Sequence, residues 1–247
     1  MRDYNTYFYS PREKIEYAAF GLTASFILLY LFYRSIIICA PLSVAGAACY
    51  LRYKKGRLLQ EEKWQLMIEF KDAMDSMVSA LVAGYSMENA ITEAYRDLQL
   101  MYGKETLMLM ELKNISQKLS LKQSLDTLLL DLGRRSGTED IITFAQIYAT
   151  ARRSGGNLVK VMKRTADNIG EKMDIQREIQ TMIAGKKMEA NCMMIIPLLI
   201  ILYLQVFSPG FLQPLYEGIQ GRFIMSFFLL IYGAAVLWSR RIMNIQS

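Results

Sequence analysis

The sequence contains no histidine, and that absence removes a large share of enzyme chemistry. Ser-His and Cys-His nucleophilic pairs and histidine-bound metals all need an imidazole. Cysteine is scarce: Cys39, Cys49 and Cys192 each lie inside an apolar run, where a thiol behaves as a small hydrophobe, and no Cys-x-x-Cys pair occurs. The glycines form no phosphate loop. Both "SGGNLVK" and "AGKKM" lack the G-x-x-x-x-G-K-[ST] order that cradles a nucleotide phosphate. The residues therefore predict no catalytic group, no cofactor-binding group and no metal site. If ATP drives this protein, another chain hydrolyses it.

What the chain has in excess is apolar surface. Of its 247 residues 53% are hydrophobic, high for a soluble protein, and the surplus is concentrated near the two ends. Tyr17 to Tyr33, Ile36 to Leu51, Ala190 to Phe207 and Phe223 to Trp238 hold no charged residue, and each approaches the roughly 20 residues a helix needs to cross a bilayer. Aromatic rings at their edges (Tyr17, Tyr33, Phe207, Phe223, Trp238) suit the headgroup layer. Four transmembrane helices are expected. The first is followed at once by Arg34-Ser35 and a second apolar run, with no small-x-small pattern between them, so it does not read as a cleaved signal.

Lys and Arg beside the runs set the orientation, because cytoplasmic flanks are enriched in them. Arg12, Lys14, Arg52, Lys54, Lys55, Arg57, Lys186, Lys187, Arg240 and Arg241 flank one side, against Arg34 and Arg222 on the other. Both termini and the middle segment are thus expected in the cytosol. The external connections are Arg34-Ser35 and an irregular loop around "SPGFLQPLYEGIQG". The net charge of +6 does not imply nucleic acid, since much of it sits at membrane borders and the middle segment mixes signs almost evenly. Within the runs Gln205 and scattered hydroxyls are the polar side chains of note, groups that more often join helices than carry cargo. An ion pathway normally places Asp, Glu, Lys or Arg there.

The middle segment reads as helix after helix. In "EKWQLMIEFKDAMDSMVSALVAG", Trp64, Met67, Phe70, Met74, Met77, Val78, Leu81 and Val82 fall near a three-and-four spacing, giving one apolar face, and Gly84 makes a stop. Ser86 can cap a second helix that Gly103 breaks. Lys104 to Lys118 form a third; Ser120 and Gln123 fit a capping box for a fourth ending at Gly133; Thr138 with Glu139 and Asp140 starts a fifth. Gly155 and Gly156 allow a reversal and Asn157 a cap. The sixth helix runs from Leu158 straight into the third apolar run, a length of roughly 75 Å if continuous to Phe207. The expected fold class is all-α: a multi-pass membrane protein with four transmembrane helices and a cytosolic six-helix bundle. Expected segments are 1–14 (cytosolic), 15–52 (transmembrane pair), 53–185 (bundle), 186–240 (transmembrane pair with external loop) and 241–247 (cytosolic tail).

Three stretches in order, "FKDAMDSMVSALVAGYSMENAI", "SLKQSLDTLLLDLGRRSGTEDIITFAQIYATARRSGGNLVKVMKRTADNI" and "EIQTMIAGKKMEANCMMIIPLLI", resemble the type II secretion F domain family. The flanking pairs of apolar runs and a single copy of the bundle resemble its TadB/TadC-like branch in Tad (Flp) pilus machinery. The resemblance implies a non-enzymatic platform protein of the cytoplasmic membrane of a bacterium or archaeon. Implied partners are a hexameric cytosolic secretion ATPase, a second platform protein or another copy, prepilin or pseudopilin subunits, and membrane lipid; no nucleic acid is implied. A transporter or channel component is the alternative, and a membrane-bound enzyme a third. Arg134, Arg135, Arg152, Arg153, Gly155 and Gly156 are the expected partner interface, since arginine makes forked contacts with carboxylates. The bland reading of the same residues is solvated charge at helix ends and a plain reversal.

Overall fold

In a computed structural model the protein is helical throughout, with no strand among the described residues. The structure describes residues 4–5, 9, 11–103, 105–155, 157–208, 210–216 and 218–245, with backbone alone at 219, 240 and 243–245. The helices among them are α1 (Pro11–Tyr33), α2 (Ile36–Val82), α3 (Met87–Tyr102), α4 (Leu107–Ser120), α5 (Leu125–Ser136), α6 (Glu139–Ser154), α7 (Leu158–Phe207), α8 (Gln213–Tyr216) and α9 (Gly218–Ile245). The chain divides into two compact units, Met1–Phe8 with Gly56–Asp174 and Tyr9–Lys55 with Ile175–Ser247.

The first unit is a bundle built from the C-terminal part of α2, α3 to α6, and the beginning of α7. Its α2 face buries Leu66, Phe70, Met74 and Met77, spaced so that they share one side of a helix. Against this stripe come Ile91, Ala94 and Leu98 of α3, Met108, Leu112 and Ile115 of α4, Leu125 and Leu132 of α5, Phe144 and Tyr148 of α6, and Met162 and Ile169 of α7. Phe70 and Phe144 meet edge to face at 5.5 Å. Each fully buried side chain of this size contributes about 1.5–3 kcal/mol, so the bundle has a core of its own. Val82, expected on the apolar stripe, is instead exposed, because α2 ends there and the chain turns away through Gly84 at φ +91.

Local signals placed most helix ends. Ser86 Oγ accepts from the Asn89 amide at 3.3 Å, Gly103 closes α3 at φ 60, and Asn157 Oδ1 accepts from the Lys160 amide at 3.0 Å. Ser120, expected to cap the fourth bundle helix, instead closes α4 and donates to Gln117 O at 2.6 Å; α5 starts one turn later, after Ser124. Gly133, expected to end that helix, lies inside it. A Cβ there would come 3.0 Å from Ile142 Cα and 3.2 Å from Ile142 N, so this glycine lets α5 and α6 approach closely, and Gly137 takes the left-handed stop at φ 60.

The second unit holds α1, the N-terminal part of α2, the rest of α7, α8 and α9. Among the described residues four helices are long and apolar enough to cross a membrane, and their apolar windows are only 0 to 17% buried within the protein. Exposed Ile37, Leu199, Phe223, Leu230 and Leu237 leave an apolar surface that hydrocarbon, not water, accommodates. Two residues turn α1 into α2: Arg34, left-handed at φ 46, donates its amide to Tyr30 O, and Ser35 O accepts from Cys39 N. Small residues let the hairpin close. A Cβ on Gly46 would meet Ser25 Oγ at 2.6 Å, and one on Gly21 would meet the Tyr50 ring at 3.0 Å.

Several polar groups among the apolar helices are paired, as suits groups away from water. Leu31 O, one of the last carbonyls of α1, accepts from Gln205 Nε2 at 2.8 Å and Tyr216 Oη at 2.9 Å. Tyr232 Oη donates to Met194 O at 2.8 Å, and Tyr33 Oη lies 2.7 Å from Ser226 Oγ. Gln205 thus joins helices, as its residue type suggested. The loop between α7 and α9, expected to be irregular, contains the single turn α8.

Candidate functional site

The basic residues expected at a partner interface sit at the ends of α5 and α6. Their C-terminal turns favour cations, because the last carbonyls carry the negative pole of the helix. Arg134 and Arg135 close α5, and Arg152 and Arg153 close α6. The two helices are joined only through Gly137 and Thr138, and Arg152 Nη1 reaches back to Asp126 Oδ1 in the first turn of α5 at 3.1 Å. The pairs therefore lie at opposite ends of the α5–α6 hairpin. Asp126 is nine residues before Arg135, roughly 14 Å along the helix axis.

The four arginines also differ in what they touch. Arg134 is exposed. Arg153 is exposed and its Nε donates to Ala149 O at 3.1 Å. Arg152 is exposed and paired with Asp126. Arg135 departs from the solvated reading: its side chain is only 15% exposed and its fork grips Glu111, itself 2% exposed. Nη1 to Oε1 and Nη2 to Oε2 are both 2.7 Å, and Nε adds Asp131 at 2.9 Å. The Glu111 hydrogen bonds hold the guanidinium pKa above its ordinary value against the opposing effect of burial, with Asp131 adding to them. Gly155 caps α6 at φ 67, with open space where a Cβ would stand. Gly156 lies outside the described residues.

Glu111 has a further partner. Tyr4 Oη donates to Glu111 Oε1 at 3.0 Å, and Tyr4 is 2% exposed. A buried carboxylate is costly unless paired and fully hydrogen-bonded, and here a forked arginine and a phenol do both. The sequence did signal this residue: Glu111 stands on the same helical face as Met108, Leu112 and Ile115, an acid in an apolar stripe. Glu69 carries the same signature beside Phe70. It is 1% exposed and accepts from the Met108 amide at 2.8 Å and Gln65 Nε2 at 3.1 Å, so it satisfies an amide at the N-terminus of α4 that has no partner within the helix.

A buried phenol, Tyr148, and a half-buried one, Tyr102, add a pH signature. Burial pushes Tyr148 up to about 12, with Asp126 and Glu88 also raising it and Arg152 opposing. Tyr102 is raised as well, by burial first and then by the hydrogen bond it donates to Asp72 at 2.6 Å. A folded-state pKa above the unfolded value of about 10 adds stability that is complete below pH 10 and is lost as pH climbs toward the folded value. Thermal midpoints of the full chain in detergent should hold steady up to about pH 10 and then fall, with Tyr148 accounting for roughly 2 kcal/mol by pH 12. Tyr148→Phe should flatten part of that alkaline limb. An identical fall in the variant would show that Tyr148 is not responsible.

No group of acidic residues and cysteines able to hold a metal ion occurs among the described residues, and the described buried polar side-chain atoms all have partners. What the arrangement offers is a helical bundle with charged helix ends, two of whose helices, α2 and α7, continue into apolar segments. The family model for type II secretion system (T2SS), protein F matches residues 73–205, just over half the chain. The chain belongs to that family. Comparison with curated proteins and with solved structures gives no match. The matched range begins within α2, takes in α3 to α6 and ends near the end of α7. The family consists in general of non-catalytic platform proteins of secretion or pilus machines that work with secretion ATPases and pilins. With the four apolar helices it points to the inner membrane.

Proposed function

We propose that this chain is an inner-membrane platform of the TadB/TadC-like kind, without enzymatic activity, which couples a cytosolic secretion ATPase to the assembly of pilin or pseudopilin subunits. The observation that carries the coupling is the continuity of two helices. Both α2 and α7 belong in part to the bundle and in part to the apolar unit, and an unbroken helix passes on torque and displacement where a flexible linker would not. The single bundle flanked by two pairs of candidate spans supports the Tad branch, and the basic flanks support a cytosolic bundle with both termini inside. In this reading residues 53–185 face the ATPase, and exposed Arg134, Arg152 and Arg153 are the arginines free of the core to meet it, together with Gly155 and Gly156.

The test is made in a cell that carries the ATPase and the prepilins. The chain should recruit the ATPase to membranes, and its deletion should abolish both recruitment and filament assembly. Reporters fused after Asn114 and after Ser247 should read cytoplasmic, and one near Gly218 external. An external signal at Asn114, or normal filaments without the chain, would sink the proposal.

A further inference from the structure

The corner where α5 ends is occupied by residues from far away in sequence. Besides its phenol on Glu111, Tyr4 donates its amide to Arg135 O at 3.0 Å. Asn5 Nδ2 donates to Arg134 O at 3.4 Å, and Asn5 Oδ1 accepts from Lys63 Nζ at 3.2 Å. Lys63 Nζ also donates to Gly137 O at 3.4 Å. Arg134 O and Arg135 O are among the last carbonyls of α5, which have no acceptor role within their own helix. Tyr4 and Asn5 therefore supply the partners that a helix C-terminus ordinarily takes from water. Gly137 completes the fit, since a Cβ there would collide with Asn5 Oδ1.

We propose that this corner of the bundle, formed by Glu111, Arg134, Arg135, Gly137 and Lys63, is a docking surface for an aromatic-asparagine segment, and that its occupant is the chain's own Tyr4-Asn5, acting as a latch. Three features favour this occupant over a foreign one: Tyr4 is only 2% exposed, its phenol completes a buried carboxylate, and its backbone amide is used. Only residues 6–10 separate Asn5 from Pro11, the first residue of α1. A docked Tyr4 thus ties the start of the first candidate span to the bundle by a short tether. This part rests on the platform reading: beside α2 and α7, the latch is a third connection through which bundle motion reaches the membrane helices.

The latch is tested in the full chain in its own membrane. With p-azidophenylalanine, close to tyrosine in size, placed at position 4, illumination should give crosslinks to peptides within residues 107–136. In a mixture of isotopically light and heavy chains these should join chains of one label only. Crosslinks to lipid or another protein, or mixed-label crosslinks, would overturn docking within the chain. Hydrogen exchange on the unsubstituted chain gives a second reading, with the Tyr4 amide protected at least tenfold; exchange at the rate of an unstructured peptide would likewise overturn it. For the coupling, Tyr4→Ala should reduce filament output severalfold while Tyr4→Phe, which keeps the ring, retains most of it. Crosslinks as expected with unchanged output in Tyr4→Ala would overturn the coupling and leave the latch. A chain that supports no assembly in any form would instead refute the platform reading, and the crosslinks would be unaffected.

Discussion

Replacing Arg135 by alanine is expected to destabilise the bundle by about 3–5 kcal/mol, because it strands a buried carboxylate without its countercharge. Glu111 cannot relax into water: its side chain is 2% exposed and held in the α4 face beside Leu112 and Ile115. The phenol of Tyr4 would remain, but a single neutral donor does not balance a charge in a poorly polarisable interior. The measurement is the thermal or urea midpoint of the full chain in detergent, compared with Arg152→Ala as control. Arg152 is exposed and its pair with Asp126 is of the kind that contributes about 0–1 kcal/mol. Replacing both partners, Arg135→Met with Glu111→Leu, should cost much less than Arg135→Ala alone, since apolar residues of similar volume leave nothing unpaired. Equal losses in Arg135→Ala and Arg152→Ala would mean that the buried pair has no special weight.

Inserting three glycines between Ala184 and Gly185 is expected to abolish filament assembly while leaving expression, membrane insertion and ATPase recruitment intact. The site lies within α7, a helix of 50 residues, and flexible glycines convert a stiff connection into a coil. The α7 residues of the bundle core end at Met173 and the apolar run starts at Ala190, so the insertion falls between them, with Ile183 the buried residue beside it. Gly185→Ala is the matched control. A Cβ there has open space around it, and alanine is favoured over glycine by about 1 kcal/mol in a helix interior, so assembly should be normal. Because α2 is also unbroken, over 47 residues, the same insertion after Gly56 should harm assembly too. Normal filaments in both insertion variants would show that no force passes along these helices.

The continuity of α7 was legible because its pattern runs without a stop from Leu158 into the third apolar run. That of α2 was missed. Its border, "YLRYKKGRLLQEEKW", reads as a membrane edge, and charges plus one glycine look like a connection. Yet no proline and no cap residue interrupts it, and an isolated glycine is tolerated inside a helix for about 1 kcal/mol. The candidate interface was legible only as residue types. Arg134 and Arg135 are neighbours in sequence, but successive helical residues point about 100° apart, so one faces solvent while the other reaches Glu111.

By itself the sequence determined the all-helical class, the four apolar segments and most helix ends, because these follow from spacing along one chain and from capping groups within a few residues. The same holds for what is excluded, since a chain without histidine cannot build imidazole chemistry in any fold. Only the tertiary structure decided which groups pair with the buried acids and which segment caps α5. Tyr4 and Glu111 are 107 residues apart, and no periodicity links a terminal tyrosine to an acid in a distant helix. Their pairing is fixed by packing, which buries the carboxylate first and thereby makes a phenol and a guanidinium at that point stabilising.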